Sequence, residues 1–162
     1  MRRHNSTIAR AFTLVEILIV VVILGILAAM VVPSFANAVE PSQQAAFATN
    51  IRGFAQSVEL YRVREGDFPP DGTSGQIPNG LEAYIDVSTW ERTTPIGGVW
   101  DSESDPADLG YGVGVHFNGT GETRDDVYMT ELDAIFDDGD LTSGAFREFG
   151  DGRYYYVIQP GD

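Results

Sequence analysis

The chain has no cysteine, and although ten of its 162 residues are basic it has no lysine, every one being arginine. The first absence removes disulfides and thiolate chemistry, so an exported domain has to hold together by packing or by a cation. Histidine is nearly absent as well, with only His4 and His116. No pair of His at zinc spacing exists, and a Ser-His relay has His116 alone to rest on, since His4 lies in the basic start of the chain. There is no Gly-x-Ser-x-Gly elbow and no phosphate-cradling glycine loop. Positive charge is scarce against 24 acidic residues, a net charge of −14. Such a surface repels nucleic-acid phosphates, so DNA binding is disfavoured and no nucleic-acid partner is expected.

Against these absences stands one long apolar run, Ile17 to Val32, headed by a single acid, Glu16. Residues 12–32 span ~32 Å as a helix, enough to cross a hydrocarbon core of ~30 Å. Arg2, Arg3, His4 and Arg10 precede it, which predicts a cytoplasmic N-terminus and an exported remainder. An acid within such a helix costs roughly 2.5–3.5 kcal/mol even on lenient scales, so Glu16 needs a cation. Cutting between Ala11 and Phe12 would make one, because a new α-amino group titrates near ~7.7–8.0 and is positive at neutral pH. Paired with Glu16 of an adjacent copy, that amine would set the stagger of a helical array. The competing expectation is a secretory signal peptide cut after Ala38 in Ala36-Asn37-Ala38, but the apolar run exceeds an ordinary h-region and has no use for Glu16.

The basic start, a small residue, then Phe12-Thr13-Leu14-Val15-Glu16 and about twenty apolar residues resembles the processing signal of type IV pilins and type II secretion pseudopilins. The resemblance implies cleavage by a prepilin peptidase between Ala11 and Phe12, N-methylation of Phe12, and filament assembly through Phe12 and Glu16. Gly25 and Pro33 fall where the family carries a flexible point and a kink. One departure is Ala11, standing where the family usually has Gly. The implied partners are further copies of the chain, the prepilin peptidase, an inner-membrane platform protein and an assembly ATPase. The implied location is the bacterial inner membrane, single-pass, with the globular part periplasmic, and then the filament.

Past Pro33, Phe47, Ile51, Phe54, Val58 and Tyr61 recur at four- and three-residue spacings and predict a helix over about 42–64 with one apolar stripe. Gly, Pro and Asp crowd residues 66–80, predicting a loop, and Gly80 to Ile85 read as one short helix. Tyr111, Val113, Val115 and Phe117 alternate as in a strand, and Met129, Leu132, Ile135 and Phe136 fit a further helix. Residues 145–149 and 153–158 read as strands joined at Gly150-Asp151-Gly152. The expected fold is α+β and pilin-like, a long N-terminal helix packed on a small antiparallel sheet that needs its cover. Its parts are a leader at 1–11, a membrane-spanning and filament-core helix at 12–33, an amphipathic continuation at 34–65 and a globular domain at 66–162.

Two acidic clusters remain. Asp101, Glu103, Asp105 and Asp108 alternate as in loops that wrap an oxygen-loving cation, although Pro106 excludes an EF-hand. Major pseudopilins carry a calcium site in a C-terminal loop, so the resemblance admits calcium as the one cofactor. Asp137-Asp138-Gly139-Asp140 reads first as a tight turn. The expected function is that of a structural, non-enzymatic subunit of a type II secretion pseudopilus, with a type IV pilin as alternative. The rival from another class is a signal-anchored periplasmic binding protein or enzyme, for which Glu16 would have no role.

Overall fold

The computed structural model describes residues 12–104, 110–119 and 121–158, with backbone only for 32–38. The first element, α1, runs Leu14–Glu65. It passes through Pro33 and Pro41, whose missing N–H groups leave the carbonyls of Ala29 and Asn37 without their usual helical donors. Gly66 ends it, its N–H bonding the Arg62 carbonyl at 2.9 Å. The chain divides into two compact units, Met1–Glu40 and Pro41–Asp162.

In the first unit, Ile17–Val31 of α1 is apolar on every side and exposed, with a mean hydropathy of 3.1 over Leu14–Val31. This is a helix long and apolar enough to cross a membrane. Burying each such Leu, Ile or Val is worth ~1.5–3 kcal/mol, so the segment requires lipid or other apolar helices around it.

The second unit is α+β. The end of α1 is followed by a loop through residue 80, a single 3₁₀ turn at Leu81–Ala83, and the short helix α2, Val87–Trp90. Strands β1 (Val99–Ser104) and β2 (Tyr111–His116) come next, then helix α3 (Asp126–Phe136), then β3 (Phe146–Glu148) and β4 (Arg153–Ile158). The four strands form one antiparallel sheet in the order β1-β2-β4-β3. Asp86 caps α2, accepting from the Ser88 N–H at 3.1 Å, and Asp125 caps α3, accepting from the Tyr128 N–H at 3.0 Å.

The stripe on α1 is the cover the sheet requires. Phe47, Ile51, Phe54 and Val58 are buried together with Trp100, Tyr111, Val113, Val115, Phe146 and Tyr154 from the strands. Phe47 stacks on Trp100 at 5.2 Å, and Phe54 meets Trp100 edge-on at 4.8 Å and Trp90 at 5.0 Å. Rings at these distances and angles add specific attraction to their area burial, which gives a cross-linked core in a chain with no disulfides.

The hairpin between β3 and β4 turns at Gly150, Asp151 and Gly152, all at positive φ, where glycine is unstrained and Asp is among the better-tolerated alternatives. Gly114 answers a different need. A Cβ there would lie 1.8 Å from the Tyr154 carbonyl oxygen, so only glycine lets β2 and β4 close to pairing distance.

Two elements depart from expectation. Residues 101–104 belong to strand β1, where a cation-wrapping loop was expected. Trp100 and Ser102 face the α1 side while Asp101 turns to the other face, so the alternation of carboxylates is the pleat of a strand. The short helix expected over Gly80 to Ile85 is a single 3₁₀ turn at Leu81–Ala83.

Replacing Phe47 by Ala should cost about 3–5 kcal/mol in denaturant unfolding of the detergent-solubilised chain, while Leu60→Ala, on the exposed face, should stay within ~0.5. Equal losses at the two positions would contradict the stripe.

Candidate functional site

The N-terminal end of α1 concentrates the sequence signals. Thr13 precedes the first helical turn and Glu16 lies within it. The Thr13 N–H donates to Glu16 Oε2 at 2.8 Å and the Thr13 hydroxyl donates to the same oxygen at 2.7 Å. The Glu16 N–H donates back to Thr13 Oγ1 at 3.2 Å. This is a capping box, in which each side chain satisfies the other residue's backbone donor at a helix start. A Thr-x-x-Glu spacing ahead of an apolar run is its sequence sign, which the reading of Glu16 as an unpaired acid passed over.

The box meets part of Glu16's needs. Hydrogen bonds fill lone pairs on Oε2, but Thr13 has no charge, so the carboxylate remains an uncompensated anion in an otherwise apolar helix. The positive end of the helix dipole favours it in the first turn, by about 0.3–1 kcal/mol at exposed sites. Phe12, directly before the box, is 81% exposed. Ala11 and the rest of the leader lie outside the described residues. Gly25 stands within the apolar part of α1 with nothing within 4 Å of where a Cβ would be.

In the first acidic cluster, Asp101 is committed to contacts within the protein. Asp101 is buried in β1, and its Oδ1 accepts from the Ser102 N–H at 3.0 Å. Its Oδ2 accepts from the Tyr155 hydroxyl at 2.8 Å and lies 3.6 Å from Arg153 Nε. Both oxygens are engaged within the protein. Glu103, two residues along the same face, is raised above its usual range by burial and then by the charges of Asp71 and Asp101. Asp105 and Asp108 lie outside the described residues.

Around Asp101 the sheet's outer face gathers Ser74, His116 and Arg153, the residue types of a nucleophilic relay. Ser74 Oγ is hydrogen-bonded to His116 Nδ1 at 2.8 Å. Asp101 Oδ2 lies 3.9 Å from that same nitrogen. In a working Ser-His-Asp triad the serine and the carboxylate use opposite ring nitrogens, so that a proton taken at one side is supported from the other. Here both are on one side, and the arrangement anchors the loop carrying Ser74 to the end of β2. Burial, and next the charge of Arg153, hold the His116 imidazole below its ordinary value.

An apolar helix with a capped acid in its first turn, followed by a helix-covered antiparallel sheet, is a pilin-like α+β arrangement. The sequence carries the prokaryotic N-terminal methylation motif over residues 8–32. The chain is 35% identical over 88 residues to the type II secretion system core protein G of Pseudomonas aeruginosa, covering 54% of this chain and 55% of that protein. The core protein G of Vibrio cholerae is 37% identical over 78 residues, covering 48% of this chain and 49% of its own length. A fimbrial protein of Neisseria meningitidis serogroup B is 30% identical over 77 residues, covering 48% of this chain and 45% of its own length. The chain thus spans about half the length of the curated relatives it matches. No solved structure matches it.

A His with a folded-state pKa below the unfolded value of ~6.5 resists protonation, so acidification below that value favours the unfolded chain. On going from pH 7 to pH 5, the stability of the wild type should fall relative to His116→Asn, measured by urea midpoints at each pH. A stability difference that moves the other way would contradict a depressed His116.

Proposed function

We propose that this chain is a structural subunit of a type II secretion pseudopilus, drawn from a membrane reserve into a helical filament. The observation that carries the reading is Glu16, a charged residue set in the first turn of an apolar helix and capped by a group that cannot neutralise it. A prepilin peptidase would remove residues 1–11 on the cytoplasmic side, and Phe12 would become the methylated N-terminus. Its ammonium, next to the capping box, supplies the cation that Thr13 lacks. Pairing between one subunit's amine and the next subunit's Glu16 offsets the ~2.5–3.5 kcal/mol of an intramembrane acid and fixes axial register.

The rest of the chain follows from that role. The apolar part of α1 sits in the inner membrane before assembly and against other copies afterwards, with Gly25 and Pro33 as points where it flexes. The acidic domain stands in the periplasm and gives the filament a charged, soluble exterior. Inner-membrane platform and ATPase components supply force, as the chain itself offers no nucleotide site in its sequence. Similarity to core protein G of secretion systems favours a pseudopilus, and the similarity to a fimbrial protein keeps a type IV pilus subunit as the second reading. The misaligned Ser74-His116-Asp101 group argues for a structural role over a hydrolytic one.

Mass spectrometry of the mature protein should find a methylated Phe12 terminus, whereas an intact Met1 or a start at Val39 would remove the proposal. Glu16→Leu should abolish polymer formation while the protein stays membrane-bound; filaments at wild-type yield from that variant would do the same damage.

A further inference from the structure

The sequence contains two Asn-Gly pairs, Asn79-Gly80 and Asn118-Gly119, and both are exposed on loops of the second unit. Asn before Gly is the pairing most prone to lose its side-chain amide, because a glycine without Cβ leaves its backbone nitrogen open to the neighbouring carboxamide. In that reaction the glycine nitrogen gives up its proton and attacks Cγ of the asparagine. The Cγ–Nδ2 bond breaks, ammonia leaves, and a cyclic succinimide forms. Water then opens the ring at one carbonyl or the other, to aspartate or to isoaspartate, so water is consumed and ammonia released with no oxidant and no enzyme. Its requirement is a glycine N–H free to lose its proton and to turn towards the side chain.

The two pairs share this chemistry and differ in how the fold holds them. At the first, the Gly80 N–H donates to Glu82 Oε2 at 2.6 Å. Gly80 also caps the 3₁₀ turn, whose Leu81 N–H is bonded to the Pro78 carbonyl at 3.0 Å. The ring of Tyr61 closes another side, 3.1 Å from where a Cβ of residue 80 would be. A charge-assisted bond of this kind holds the nitrogen in place, and the negative carboxylate beside it opposes loss of its proton. The second pair lacks such restraint. Gly119 has φ +83°, nothing lies within 4 Å of its Cβ position, and among the described residues its N–H has no acceptor. The chain is pinned just before the pair, where the Phe117 N–H donates to the Gly152 carbonyl at 2.8 Å, so Asn118 stands beside the turn that carries Asp151.

We propose that Asn118 is a site of spontaneous deamidation in the folded chain, and that Glu82 shields Asn79 from the same reaction. The product is a further carboxylate at the end of β2, next to an already acidic turn; in its isoaspartyl form the backbone there is longer by one carbon. Asn118 and Gly119 are exposed and outside the core, so the domain keeps its fold while the charge of this corner changes with the age of the molecule. The assignment is independent of which filament the chain serves.

The test is prolonged incubation of the full-length chain in detergent at mildly alkaline pH, followed by cleavage at arginine. Because the chain has no lysine, cuts after Arg64, Arg92 and Arg124 put Asn79 in the peptide 65–92 and Asn118 in the peptide 93–124. Tandem mass spectrometry locates each conversion of amide to acid, and enzymatic methylation of isoaspartate reads the rearranged fraction. Asn118 should convert about tenfold faster than Asn79 in the folded chain, the factor of one charge-assisted hydrogen bond that has to break first. In urea the two should convert at similar rates. Glu82→Ala, at an exposed position, should speed Asn79 in the folded chain and leave Asn118 unchanged. Asn118 converting no faster than Asn79 in the folded chain overturns the site. An Asn79 rate unmoved by Glu82→Ala overturns the shielding.

Discussion

The charge of Glu16 is the constraint from which the rest of the molecule takes its sense. Everything from Leu14 to Val31 is suited to lipid or to other apolar helices, and this one residue is not. The capping box with Thr13 completes the helix's first turn and leaves the anion in place. A hydrogen-bonded acid that is still charged is a group with an unmet need, and a fresh N-terminus in a neighbouring copy can meet it. In the proposed role, the helix rests in a membrane and is better satisfied among further copies of itself.

The other half of α1 solves an ordinary problem with the same backbone. Its stripe of Phe47, Ile51, Phe54 and Val58 closes one face of a four-stranded sheet too small to stand alone. The aromatic contacts centred on Trp100 take the place that disulfides hold in many exported domains. On the opposite face, buried polarity does similar work: Asp101 is held by Tyr155, Arg153 and the Ser102 amide, and His116 ties down Ser74. Negative charge is distributed so that much of it is used locally, in caps, turns and this cluster.

What was legible in the sequence divides along physical lines. The α1 stripe, β2, α3 and the β3–β4 hairpin were readable because burial on one side stamps a period on the residues, and Gly150-Asp151-Gly152 marks a turn. Strand β1 was not, because only Trp100 is a large apolar residue on its inward face and the buried Asp101 depends on Tyr155, more than fifty residues away. The capping box was visible as Thr13-x-x-Glu16 and was overshadowed by the cost of the acid. The buried acid Asp133 of α3 passed unnoticed among many acids, although it stands four residues after Met129 and next to Leu132, on the face that those two bury. A lone acid in phase with an apolar stripe is the signal that could have found it.

The most direct measurement is of the contact itself, in filaments assembled from an equal mixture of subunits carrying ¹⁵N-labelled Phe and subunits carrying ¹³C-labelled Glu. Solid-state NMR recoupling should detect the Phe12 amine nitrogen next to the Glu16 carboxylate carbon of a different copy, at a separation of about 4 Å, as in an ion pair. Filaments that form while this intermolecular contact is absent would contradict the account.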